Sequence, residues 1–79
     1  MLLASELISR IGPKLYGELW KKALAKRLGV DERNIYRWIE GRFTPRPGVF
    51  VDLLELMKER RDELDELIEA TEAYLAGTK

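Results

Sequence analysis

Between Arg33 and Arg37 the chain gathers two arginines, an asparagine and a tyrosine, side chains suited to directional hydrogen bonding rather than to making or breaking bonds. An arginine fork donates two parallel bonds to the O6 and N7 acceptors of guanine, and an asparagine amide pairs in a similar way with adenine. A tyrosine can bond a phosphate or lie against a thymine methyl. Arg33, Tyr36, Arg37 and Glu40 recur at i, i+3, i+4 and i+7, one face of a helix, so they would project together. Arg33 and Arg37 are the first candidates for guanine; Asn34 ranks lower because it falls toward one edge of that face. The plainer alternative for each arginine is a solvated charge paired with a neighbouring glutamate. Glu32 and Glu40 run against the basic trend, since a carboxylate beside DNA is unfavourable unless it accepts from cytosine N4 or steadies an arginine. Glu40 is expected to orient Arg33, Tyr36 or Arg37.

Such a face needs a rigid element behind it. Ile35, Trp38 and Ile39 supply the opposite, apolar stripe of a helix running from about Glu32 to Glu40 and ending at Gly41. In the preceding segment Leu24, Ala25 and Leu28 share one face while Lys21, Lys22, Lys26 and Arg27 fall off it, so one side packs and the other is solvated and positive. Gly29 can take the left-handed conformation of a sharp helix exit, and Asp31 can cap the next helix. Lys21 to Glu40 is thus read as two short helices joined by a turn of about three residues, Gly29 to Asp31. An amphipathic helix pair with a glycine turn is also the ordinary way to build any small bundle.

Charge separates the two possibilities. From Lys14 to Arg46 there are nine bases (14, 21, 22, 26, 27, 33, 37, 42, 46) against four acids (18, 31, 32, 40). From Asp52 onward nine acids face four bases, so the net charge of zero conceals a basic head on an acidic tail. Lys14, Lys21, Lys22, Arg42 and Arg46 are the expected contacts to backbone phosphates, which position a protein on a duplex without reading its sequence. Arg42 and Arg46 sit in the irregular loop GRFTPRPG, where Phe43 is expected to plug the loop onto the core.

With Ala25, Gly29, Val30, Ile35 and Trp38 at these spacings, the segment resembles the lambda-repressor and Cro type of helix-turn-helix. Ala25 matches the small residue where the two helices cross, Gly29 the turn residue, and Leu24, Leu28, Val30, Ile35 and Trp38 the internal core. The resemblance covers about residues 3 to 58. It departs from the family at Lys21, where many members carry a glutamine that contacts the DNA backbone; a lysine can still meet a phosphate. The resemblance implies an all-α, lambda-repressor-like domain of four to five helices with a long C-terminal helix. It also implies a small DNA-binding transcriptional regulator of the phage or bacterial repressor kind.

Seventy-nine residues make a single domain of modest buried fraction, which oligomerisation would stabilise. The absence of cysteine and histidine excludes disulfides, thiolate chemistry, imidazole bases and the usual zinc ligands, and the acids fall on a solvated helix face, so no enzyme and no cofactor are expected. No stretch approaches about twenty apolar residues, and Glu6 interrupts the N-terminal apolar run, so a cytoplasmic protein is expected.

Leu2, Leu3, Leu7, Ile8 and Ile11 predict a first helix over residues 2 to 11, stopped by Gly12-Pro13 and packed behind the helix pair. A loop from Pro13 to Gly17 follows, holding Lys14 and Tyr16, and a second helix from about Glu18 with Trp20 in the core. Pro47 suits the first turn of a last helix, and nothing breaks it from there to about Ala76, roughly 45 Å at 1.5 Å per residue. Phe50, Leu53, Leu54 and Met57 would pack on the head of residues 1 to 58, leaving residues 59 to 79 as an extension. That extension either bends near Arg60, in the charged stretch Lys58 to Asp62, and folds back, or continues straight. The straight form is preferred because positions 50, 53, 57, 64, 67, 71 and 74 approximate a heptad seam interrupted at Arg60 and Thr71. Leu64, Leu67, Ile68, Tyr74 and Leu75 would then pair two copies. A homodimer would send two such helices into successive major grooves about 34 Å apart and read an inverted repeat. The expected partners are double-stranded DNA and a second copy, with no membrane and no small-molecule ligand. The alternative is an interaction module, antitoxin-like or an adaptor, whose acidic helix 62 to 75 binds a basic protein.

Overall fold

The computed structural model describes residues 3–78, and the expected helical role of Leu2 lies outside them. The described chain runs α1 (Ala4–Tyr16), one turn of 3-10 helix (Gly17–Leu19), α2 (Trp20–Leu28), α3 (Glu32–Ile39) and α4 (Pro47–Ala76). It is all-helical, with no strand among the described residues. None of these helices is long and apolar enough to cross a membrane.

One enclosed side chain from each α-helix, Ile8, Leu24, Ile35 and Leu53, forms the centre of the core. Ile11, Leu15, Trp20, Ala25 and Trp38 surround them. This clustering follows from periodicity, since Ile8, Ile11 and Leu15 are three and seven residues apart on α1 and Ile35 and Trp38 are three apart on α3. α1 lies against both α2 and α3, and α4 reaches the cluster through Leu53 near its start.

α1 corrects the sequence reading, because it passes through Gly12 and Pro13 and ends only at Gly17. Proline inside a helix costs about 3 kcal/mol through its missing N–H and ring clash. Burying Ile11, Gly12 and Leu15 against the rest of the core offsets this. Gly12 is required by close approach, since a Cβ there would lie 2.0 Å from a ring carbon of Trp20. The expected start of the second helix at Glu18 also moves: residues 17 to 19 form the 3-10 turn, and α2 begins at Trp20.

α4 is a single helix, and the charged stretch from Lys58 to Asp62 lies within it and is no hinge. Arg60 is instead an anchor, its Nη1 donating to the carbonyl oxygen of Leu15 at 3.0 Å while its guanidinium lies 5.5 Å from the Tyr16 ring. Leu54 was expected to pack on the head but is 47% exposed; Leu56 packs instead, beside Val49, Phe50 and Met57. Leu54 stands about 100° around the helix from the enclosed Leu53, whereas Leu56 and Met57 follow Leu53 by three and four residues.

Candidate nucleic-acid interface

The connection between α2 and α3 is built from local chemistry. Gly29 closes α2 in the left-handed region, φ 70° and ψ 31°, where its N–H meets the carbonyls of Ala25 and Lys26. A side chain at that φ would be strained. Val30 then donates to the Ala25 carbonyl at 3.0 Å, and Asp31 caps α3 by accepting from the Arg33 N–H at 2.8 Å. Three residues thus turn the chain between two helices whose small contact residue, Ala25, is buried.

Behind α3, Ile35 and Trp38 are buried; in front, Arg33, Tyr36, Arg37 and Glu40 are exposed. Lys21 comes from the start of α2 to join them, its Nζ 4.9 Å from the Tyr36 ring and 5.8 Å from the Trp20 ring. The ammonium over two ring faces is a cation–π arrangement, which fixes a positive charge beside Tyr36. Asn34 is half-buried, and its Oδ1 accepts a long bond of 3.5 Å from Arg37.

Arg33 is oriented, but not by Glu40. Asp31 takes its guanidinium side-on, Nε to Oδ1 at 3.3 Å and Nη2 to Oδ2 at 3.1 Å. That leaves Nη1 and the outer hydrogen of Nη2 free for an end-on acceptor pair, the geometry guanine presents. The side-chain and backbone bonds from Arg33 hold the Asp31 carboxyl below its ordinary value, and the same pair raises Arg33. Glu40 pairs with Arg42 at 2.9 Å instead, because Gly41 turns the chain back after α3 and brings Arg42 beside it. The sequence reading that gave Glu40 the orienting role is therefore corrected. A carboxylate two residues before an arginine at a helix start was the signal available for Asp31.

Phe43 is also corrected: it is 59% exposed, and the buried residue of the loop is Pro45, which shares a groove with Trp38 and Val49. Phe43 forms a shelf for Arg37, whose guanidinium carbon lies 5.8 Å from its ring centroid. Arg46, extended at φ −64° and ψ 151°, opens α4 and shares a groove with Asn34, Phe43 and Val30. Lys22 is exposed on α2. Lys14 stands apart, in a groove between the end of α1 and α4. The five residues expected to pair two copies, Leu64, Leu67, Ile68, Tyr74 and Leu75, are each more than half exposed along α4. Comparison of the chain with family models, with curated proteins and with solved structures gives no match.

Proposed function

We propose that the chain is a small sequence-specific DNA-binding protein, a transcriptional regulator of the repressor kind, acting as a homodimer on an inverted repeat. The carrying observation is the exposed face of α3: Arg33 braced by Asp31, Arg37 resting on Phe43, and Tyr36 beneath Lys21. The major groove admits one helix and shows a distinct donor and acceptor pattern at each base pair. In this reading Arg33, Tyr36 and Arg37 meet base edges, with Asn34 at the margin, while Lys21, Lys22, Arg42 and Arg46 meet phosphates and Lys14, in its groove between α1 and α4, does not. The buried Ala25 and left-handed Gly29 support a lambda-repressor-like fold for the head, and the regulator works without catalysis. Regulation would follow the protein's own concentration.

The experiment is selection from a random duplex library, followed by reversal of Arg33 and Arg37 to glutamate. An enriched inverted repeat, lost to the double variant while its helical circular dichroism is kept, supports the reading. Undiminished binding by a folded double variant ends it.

A second reading has its own observation. Leu64, Leu67, Ile68 and Leu75 are exposed on a helix that carries six acids from Asp62 to Glu72, a surface suited to a basic protein. An interaction module of that kind would keep its partner when Arg33 and Arg37 are reversed.

A further inference from the structure

The face of α4 that docks on the head continues past it. Leu53, Met57, Leu64, Ile68, Thr71 and Leu75 stay within about 60° of one another at 100° per residue. Leu53 and Met57 meet the head, whereas Leu64, Ile68 and Leu75 are 58%, 54% and 63% exposed. Just beyond the end of α1 this stripe becomes the floor of a largely apolar groove that also includes Lys14, Leu15, Arg60 and Arg61, with Asp65 as its acid. From Asp62 to Thr78, by contrast, the sequence has six acids and no base.

We propose that this groove takes the distal end of α4 from a second copy of the chain, with the two helices antiparallel. The proposal rests on the homodimer part of the reading above and gives it a geometry. Direction follows from sterics. Because the stripe shares a face with the docked head, a parallel two-fold pair would drive both heads into one volume. An antiparallel pair leaves each head beyond the end of the opposing helix.

Register follows from the spacing of Leu64, Ile68, Thr71 and Leu75, which is four, three and four residues, the rhythm of a coiled-coil seam. The antiparallel match that stops short of α1 sets Leu64 against the partner's Leu75 and Ile68 against the partner's Thr71, each twice. Asp62, Glu66 and Glu69 fall on the far side of the helix and stay in water. Electrostatics agree at the ends of the seam. The carbonyl end of each α4 carries a partial negative charge and arrives beside Lys14 and Arg61 of the other copy, whereas Asp65 and Glu72 flank the seam toward one another, a repulsion that added salt relieves.

The chain has no cysteine, so single-thiol variants report contacts cleanly. Leu64→Cys and Leu75→Cys sit at exposed positions and leave the core untouched. Oxidising the two variants mixed should give a cross-linked dimer at least about tenfold more abundant than either alone. Each copy's position 64 would lie about 16 Å from the other along the pair, beyond the reach of a disulfide. Arg61→Glu should weaken the dimer about tenfold in sedimentation equilibrium. A dominant 64-to-64 cross-link, a dimer without the mixed cross-link, or a monomer at every concentration reached would each overturn the proposal. None of these measurements contains DNA, so their failure is distinct from a failure of duplex binding.

Discussion

Arg60 closes the C-terminal end of α1 from a position 45 residues further along the chain, its Nη1 lying 3.0 Å from the carbonyl oxygen of Leu15. That carbonyl is among those an α-helix leaves without a partner inside the helix, and the bond falls where α4 leaves the head. Arg60→Met keeps the apolar stem and removes both the bond and the contact with the Tyr16 ring. Because Arg60 is half exposed, the expected loss is about 1 kcal/mol, seen as a lower urea midpoint at unchanged slope. An unmoved midpoint would mean that the anchor contributes nothing.

A second prediction concerns Gly12 and Trp20. Alanine favours a helix over glycine by about 1 kcal/mol, so Gly12→Ala would be stabilising on an open helix. Here the added methyl would fall 2.0 Å from the indole, so the buried ring or the helix that carries residue 12 must shift. The net effect should be destabilising, by about 3 kcal/mol as for a severe overpacking change, with a corresponding drop in Tm. A variant as stable as the parent would show that the indole is not seated on Gly12.

The same pair explains where the sequence could be read and where it could not. Gly29, Asp31 and the apolar set Leu24, Ile35 and Trp38 act over one or two turns, so their spacing alone disclosed the end of α2, the turn and α3, but not the start of α2. The unbroken run from Pro47 to Ala76 likewise favoured one long α4 but left a bend near Arg60 open, which the single helix removes. Gly12-Pro13 carried the usual local stop signal, and it was overridden by burial of Ile11 and Leu15 and by Trp20 on the glycine, contacts invisible without the fold. Leu54 and Leu56 differ only in angle around one helix, which needs the docking direction of the head to interpret. In the site, the outward set of arginines and Tyr36 was legible, but which carboxylate braces which arginine depended on the backbone turns at Asp31 and Gly41.

The Asp31 bond to Arg33 gives a pair of expectations. A carboxyl whose folded value lies below its unfolded one adds stability above the unfolded value and loses it as the pH falls through the folded one. Wild type should therefore exceed Asp31→Asn in Tm at neutral pH, and the gap should close as the pH falls below the ordinary 3.8. In duplex binding the same variant retains a capping oxygen but frees the guanidinium. Non-specific affinity should rise at low salt, because a carboxylate leaves the face and Arg33 is released, while discrimination in favour of the selected guanine falls about tenfold. Equal losses on specific and random duplexes would show that Asp31 does not steer readout.

Phe43 should matter to binding and not to folding. It is 59% exposed, so Phe43→Ala is expected to change stability by less than about 0.5 kcal/mol. Losing the shelf under Arg37 removes a cation–π contact, and duplex affinity should fall about threefold. Phe43→Leu, apolar but without a ring face, should behave like the alanine variant. Full affinity in Phe43→Leu would assign Phe43 to packing alone.

The last prediction uses salt. If about six phosphates are neutralised per dimer, the slope of log affinity against log salt is roughly −5. Lys22→Ala or Arg42→Ala should make it shallower, by about one for each charge removed per duplex contact. Glu40→Gln should act in the opposite sense, because Glu40 holds Arg42 at 2.9 Å in the free chain and competes with any phosphate for it. Removing that carboxylate also removes a negative charge from the face that approaches DNA. Affinity should therefore rise at low salt, and the gain should shrink as salt screens both partners. A Glu40→Gln variant that binds more weakly at every salt concentration would mean that the carboxylate positions Arg42 on the duplex rather than withholding it.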